Sequence, residues 1–171
     1  EPLIANHDRS AFEIVCYSTR TNSDAMTDRL KSLSDRWRDI SQLNDDQASE
    51  LIQSEGVDIL VDLSGHTSGH RLLVFARKPA PVQVTYLGYP NTTGMESIDY
   101  RFTDERSDPP GDSDSRFIEE LIRLPHGFLC YQPPLDFPGI GKKAKLEAGK
   151  VTFGSFNHQA KINPRLIRSW G

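Results

Sequence analysis

The sequence is short of cysteine: only Cys16 and Cys130 in 171 residues, with no CxxC spacing. Two thiols cannot build a disulfide scaffold, and the pattern predicts reduced, buried thiols in a cytoplasmic protein. No apolar run approaches the roughly 20 residues of a membrane-spanning helix, so no membrane partner is expected. A basic excess is missing too. Twenty Lys and Arg against 24 Asp and Glu leave a formal charge of −4 and a pI near 5.7, which argues against a general nucleic-acid binder. No signal or transit segment is expected, and the sequence shows no internal repeat and no low-complexity tract. What is present is ordinary for a globular protein: 36% hydrophobic and 26% charged residues. At about 150 residues per domain the length fits one domain, or one plus part of a second, able to bury about 70% of its unfolded surface. The first residue is Glu1, Glu1–Ala5 reads as the last turns of a helix, and Ser169–Gly171 falls in the opening turns of another. A stretch of a longer protein is therefore expected.

Strands and helices alternate along the chain. Phe12–Tyr17 alternates β-rich residues as a strand does. Asn22 and Ser23 can cap a helix in which Met26, Leu30, Leu33 and Trp37 share one face, and Asp39–Ser41 follows as a short strand or connector. Asn44 with Gln47 has the spacing of a capping box, opening a helix through Ala48, Leu51, Ile52 and Glu55 that stops at Gly56. Val57–Leu63 is apolar and β-branched, the pattern of a strand covered on both faces. After the turn Ser64–His70 come a short helix (Arg71–Arg77), stopped by Pro79 and Pro81, and the strands Val82–Leu87, Asp99–Asp104 and Leu121–Leu124. Gln132–Lys150, with three prolines, three glycines and four lysines, reads as a linker, and Val151–Phe156 as a fresh strand. Such alternation predicts an α/β fold with a Rossmann-like parallel sheet.

In open α/β sheets ligands collect beyond the carboxyl ends of the strands, which singles out three loops. In Ser64–His70, His66 and His70 stand four apart, but neither a His-Glu-x-x-His pattern nor a nearby acidic or cysteine ligand supports a metal. Polar lining by His66 and Thr67, with Gly65 and Gly69 admitting a ligand close to the backbone, competes with an ordinary strand-to-helix turn. Leu87–Gly94 offers backbone N–H groups, the Tyr89 ring, Pro90 and the hydroxyls of Thr92 and Thr93, as a sugar or phosphate site requires; a long β-turn is the alternative. Asn91-Thr92-Thr93 matches a glycosylation sequon, but nothing points to secretion. Phe156–Pro164 presents Asn157, His158, Gln159 and Lys161 before Asn163 and Pro164, which suit the cap and first position of a helix. An anion there would meet N–H groups, the helix dipole and a lysine; a solvated loop is the alternative. Two patterns are set aside. Gly139–Ala144 fits GxGxxA but follows prolines rather than a strand, and a lone histidine such as His126 is more often structural.

Together these loops resemble the catalytic region of the O-linked N-acetylglucosamine transferases, glycosyltransferase family 41. The resemblance rests on Phe12–Tyr17, Asp58–Thr67, Arg77–Gln83, Leu87–Gly94, Ile98–Tyr100 and Phe153–Lys161, in that order, with Ala80–Gly94 the most specific stretch. The short connection between Pro138 and Val151 is similar to the bacterial members. The resemblance implies a GT-B architecture of two Rossmann-like lobes. Residues 1–132 would form most of the first lobe, 133–150 the linker, and 151–171 the truncated start of the second.

The implied activity is inverting, metal-independent transfer of N-acetylglucosamine from UDP-N-acetylglucosamine to Ser or Thr hydroxyls of an acceptor protein or peptide, with no cofactor. The rivals are a binding or scaffolding domain of the same fold that lost turnover, and a GT-B enzyme using a different nucleotide sugar. By position, Leu87 and Gly88, with Tyr89 and Pro90 beside them, would contact the sugar, and Lys161 the diphosphate. His158 falls where some members have glutamine beside the nucleotide. Gly65, His66, Thr67, Thr92, Thr93, Asn157 and Gln159 would line the cleft. Tetratricopeptide repeats and the family's histidine motif would precede Glu1, and the uridine-binding loops would follow Gly171. None of His66, His70 or His126 matches the absent histidine, so none is assigned as the base, and the chain alone is expected to be inactive.

Overall fold

The computed structural model describes residues 1–133 and 154–170. It divides into two compact units, Glu1–Gln132 and Pro133–Gly171. Most of the expected linker, the GxGxxA stretch and the first half of the strand expected at Val151–Phe156 lie outside the described residues; Gly154–Phe156 are not in a strand.

In the first unit a four-residue helix, α1 (Pro2–Ala5), leads to a two-stranded parallel sheet of β1 (Val15–Ser18) and β2 (Arg36–Asp39), joined through α2 (Ala25–Leu33). The cap of α2 is Asp24 rather than Asn22 or Ser23: its carboxylate accepts from the Thr27 N–H at 2.8 Å, and the helix begins at Ala25. It also ends four residues short of Trp37. The periodicity placed Trp37 on the helix, but β2 claims it, paired with Cys16 of β1. Asp35 makes the switch: its carboxylate accepts from the Ile14 N–H at 2.8 Å while the Asp35 N–H donates to the Ile14 carbonyl. Strand pairing 21 residues back in sequence thus overrides a local helical period.

The second sheet is parallel throughout, in the order β3 (Ile59–Asp62), β4 (Val82–Thr85), β5 (Tyr100–Thr103), β6 (Glu120–Arg123). Helix α3 (Asp45–Ser54) precedes it and carries the capping box of Asn44 and Gln47, with both hydrogen bonds made. The chain turns out of α3 at Gly56, φ +66°. Helix α4 (Leu72–Ala76) follows β3. Arg71 ties the starts of the two helices together, donating to the Asp45 carboxylate at 2.7 Å and to the carbonyls of Leu43 and Ile40.

The core lies where α3 and α4 pack on the sheet: Ile40, Ala48, Ile52, Leu60, Leu72, Val74, Phe75, Ala80 and Ile98, with Tyr17 of β1 packed against it. Burying a residue such as Ile52 contributes roughly 1.5–3 kcal/mol. Only one face of β3 joins this core. Leu60 is buried there, whereas Ile59, Val61 and Leu63 on the opposite face are exposed, which corrects the expectation of a strand covered on both sides. The thiols also differ from expectation: Cys130 is exposed and Cys16 half-buried, its pKa raised by burial.

In the second unit, a 3-10 turn at Gln159–Lys161 precedes α5 (Pro164–Trp170). Asn163 caps α5 as its sequence position suggested, accepting from the N–H groups of Arg165 and Leu166 at 3.1 and 3.0 Å.

Candidate functional site

The turn after β3 is built around a buried carboxylate. Asp62 ends the strand and accepts from the N–H groups of Ser64 and Gly65 at 3.0 and 2.9 Å, and from the Thr85 hydroxyl of β4 at 2.8 Å. One side chain therefore folds the β3–α4 turn and fastens it to the neighbouring strand. Gly65, at φ +53°, lies so close to the Tyr89 side chain that a Cβ would collide with it.

The loop after β4 opens with an unusual turn. The Gly88 N–H donates to the Tyr86 carbonyl at 2.9 Å across Leu87, whose φ is +73°. This is the rare, strained hand of the three-residue γ-turn, and a leucine held there costs on the order of 1–3 kcal/mol. Its side chain is half exposed. Gly88 packs on the backbone of Leu63 and Ser64 with no room for a Cβ, so the two strand-end loops touch backbone to backbone. Farther along, the His66 ring nitrogen Nε2 lies 2.8 Å from the Thr93 carbonyl. The same ring meets Tyr89 edge to face, centroids 5.3 Å apart, and His70 at 6.0 Å. The structure thus brings Gly65, His66, Leu87, Gly88, Tyr89 and Thr93 into one cluster at the carboxyl ends of β3 and β4.

Two charged side chains hold this cluster from other strands, and no local motif marks either of them. Glu119, just before β6, is 3% exposed. It accepts from the Thr93 N–H at 2.6 Å, from the Thr92 hydroxyl at 2.7 Å, and from the Thr93 hydroxyl. Burial pushes its pKa up, but the hydrogen bonds from Thr93 and Thr92 outweigh this, so the net shift is downward and the group is a carboxylate at neutral pH. The hydroxyls of Thr92 and Thr93, expected to face a ligand, therefore point to Glu119 instead. Arg101, buried on β5, donates to the carbonyls of Tyr89 and Asn91 at 2.9 and 3.1 Å, with the Phe117 ring 5.3 Å away. The available signals were an Arg between Tyr100 and Phe102 in a strand, and an acidic pair opening β6: charges at such positions are seldom buried unless paired.

An open, polar cavity of about 380 Å³ lies beside the loop, lined in part by Pro90, Asn91, Asp108, Asp112 and Arg116. It does not include Leu87 or Gly88. Among the described residues no three His, Cys, Asp or Glu side chains gather as a metal-binding group. No helix among them is long and apolar enough to cross a membrane.

The second unit presents its candidates on local turns. The His158 ring nitrogen Nδ1 accepts from the Ala160 N–H at 3.2 Å, and the Lys161 and Ile162 N–H groups donate to the carbonyls of His158 and Gln159. Asn157, His158, Gln159 and Lys161 are all exposed.

Comparison with known proteins places this geometry. Residues 2–150 match the model of glycosyl transferase family 41. The probable UDP-N-acetylglucosamine–peptide N-acetylglucosaminyltransferase SPINDLY of Solanum lycopersicum is 43% identical over 174 residues, covering 99% of this chain and 19% of that protein. The UDP-N-acetylglucosamine–peptide N-acetylglucosaminyltransferase of Caenorhabditis elegans is 38% identical over 72% of this chain and 11% of its own length. A solved structure of a mutant of Thermobaculum terrenum O-GlcNAc transferase superposes with a TM-score of 0.78 at 54% identity, covering 81% of this chain and 26% of that one. The chain thus spans about a fifth of the length of the plant relative. Its parallel α/β fold is of the Rossmann-like, GT-B class that the sequence suggested. With a family match over most of its length, the chain belongs to glycosyl transferase family 41.

Proposed function

We propose that this chain supplies the sugar-facing loops of an inverting glycosyltransferase, a longer polypeptide that moves N-acetylglucosamine from UDP-N-acetylglucosamine to Ser or Thr hydroxyls of proteins. The observation that carries the reading is the strained Leu87 turn packed, through Gly88, on the end of β3. It sits beyond the carboxyl ends of parallel strands, where α/β sheets bind ligands, and backbone strain of this kind clusters at ligand-binding sites. Leu87 offers a half-exposed apolar surface beside exposed backbone, which suits the mixed faces of a sugar ring.

In the proposed reaction the acceptor hydroxyl attacks the anomeric carbon from the face opposite the nucleotide. The bond from that carbon to the phosphate oxygen breaks, its electron pair leaves with UDP, and the hydroxyl proton passes to a base. Negative charge grows on UDP in the transition state. The exposed ammonium of Lys161 is the group on this chain assigned to offset it.

Incubating the full-length protein with UDP-[³H]N-acetylglucosamine and an acceptor protein, with and without EDTA, tests this. Label should enter Ser or Thr residues equally in both. Loss of transfer in EDTA would overturn the metal-free reaction and direct attention to His66 and His70. Tight UDP-N-acetylglucosamine binding without any transfer would favour a non-catalytic binding domain, and transfer from another nucleotide sugar alone would replace the donor.

A further inference from the structure

Glu119 and Arg101 hydrogen-bond to neither Leu87 nor Gly88, yet every side-chain hydrogen bond they make among those described goes to the loop that carries these two residues. Glu119 takes three hydrogen bonds from two consecutive residues, Thr92 and Thr93. Arg101 reaches two carbonyls of the same loop, those of Tyr89 and Asn91, and its nearest carboxylate, Asp108, is 4.0 Å away. Both side chains are at least nine-tenths buried.

A buried charge is costly unless hydrogen-bonded, so the two groups enforce one loop conformation. Any movement that withdrew the Thr93 N–H or the Tyr89 carbonyl would strand a carboxylate or a guanidinium out of water. The two charges bracket the loop from different strands, Arg101 on β5 and Glu119 at the entry to β6. Between them and the Gly88–Leu63 contact, the loop is fixed at its start, middle and end. A turn with φ +73° at leucine needs such over-determination to persist.

We infer that Glu119 and Arg101 are positioning residues for sugar recognition: they hold Leu87 and Gly88 in the conformation that receives the donor's sugar, without contacting the donor. The inference rests on the proposed role of Leu87 and Gly88. It differs from a general stabilising role in one respect. A clamp on the sugar-facing loop affects the sugar end of the donor and leaves recognition of the nucleotide alone.

The experiment uses the full-length protein and two variants, Glu119→Gln and the near-isosteric Thr93→Val, which removes one hydroxyl donor while keeping the carboxylate. Binding of UDP-N-acetylglucosamine and of UDP is measured by calorimetry, and amide hydrogen exchange is followed in the segment 86–95. Glu119→Gln should weaken UDP-N-acetylglucosamine binding about 10-fold or more, in line with the penalty for misplacing a binding group. UDP binding should be unchanged, and exchange should accelerate in that segment alone. Thr93→Val should give the same pattern more weakly, and the double variant should be no worse than Glu119→Gln.

Equal weakening of both ligands, or faster exchange spread through the first unit, would overturn the inference in favour of a merely structural role. Unchanged binding of both ligands in a folded Glu119→Gln protein would overturn it as well. If the wild-type protein binds UDP but ignores the sugar of UDP-N-acetylglucosamine, the proposed function fails. The clamp is then judged by exchange alone: acceleration confined to 86–95 supports it, and its absence overturns it.

Discussion

The loop after β4 and the segment around Lys161 are held in opposite ways. Leu87–Gly94 is wired to three strands by buried side chains: Asp62 through the turn it packs on, Arg101 from β5 and Glu119 from the entry to β6. His158–Lys161 is ordered by neighbours within two or three residues, a histidine nitrogen to Ala160 and backbone bonds closing one 3-10 turn, with its side chains in solvent. Distant buried partners fix a surface before a ligand arrives. Local turns leave a long side chain such as lysine free to adjust when charge appears. In the proposed reaction the first arrangement suits a loop that recognises a neutral ring, and the second suits a cation that answers developing negative charge.

Breaking the locally held side should have the largest effect. Lys161→Ala in the full-length protein is expected to lower kcat about 10²- to 10³-fold, as loss of a group that stabilises transition-state charge does, with little change in thermal stability because the side chain is exposed. Single-turnover kinetics check this, and near-normal kcat would remove Lys161 from the reaction. On the wired side, Gly88→Ala forces a Cβ into the Leu63 backbone. It should cost about 1–3 kcal/mol of stability, as overpacking does, together with donor affinity, measured by denaturant unfolding and calorimetry. A variant as stable and as tight as wild type would show that the two loops are not locked together.

Leu87→Gly sharpens the contrast in the other direction. Glycine adopts φ +73° without strain, so the roughly 1–3 kcal/mol released at the turn should exceed the roughly 0.5–1 kcal/mol of added unfolded-state freedom, and stability should rise slightly. Donor binding should weaken even so, because the apolar contact is lost. A rise in stability with affinity intact would separate the strain from the site.

The smallest effect is one of pH. The Glu119 carboxyl has a lowered folded pKa, so its contribution is fully present above the unfolded value of about 4.3. It is lost as pH falls through the lower folded value. The difference in Tm between wild type and Glu119→Gln should stay constant from neutral pH to about 4.3 and narrow below it. A difference that widened on acidification would contradict the ionised form.

The same contrast governs how much could be read from the chain. Features set by neighbours in sequence were legible: the Asn44–Gln47 capping box, the stop at Gly56, the Asn163 cap of α5 and the alternation of strands with helices. The strand-end loops were legible as a class, because apolar strands give way abruptly to Gly, Tyr, Pro and Thr. Features set by distant partners were not. Trp37 kept the helical period of Met26, Leu30 and Leu33, but pairing with β1 took it. Glu119 and Thr93 are 26 residues apart, and no local spacing foretells that contact. The hydroxyls of Thr92 and Thr93 looked outward for the same reason: the carboxylate that turns them inward belongs to another strand.

The most direct test of the donor-facing role is a crystal structure of the full-length protein with UDP-N-acetylglucosamine bound. The expected result is the sugar ring in van der Waals contact with Leu87 and Gly88, the Leu87 turn at positive φ as here, and Thr92 and Thr93 still turned to Glu119. A sugar seated away from Leu87 and Gly88, or a loop rearranged so that Thr93 leaves Glu119 for the ligand, would contradict it.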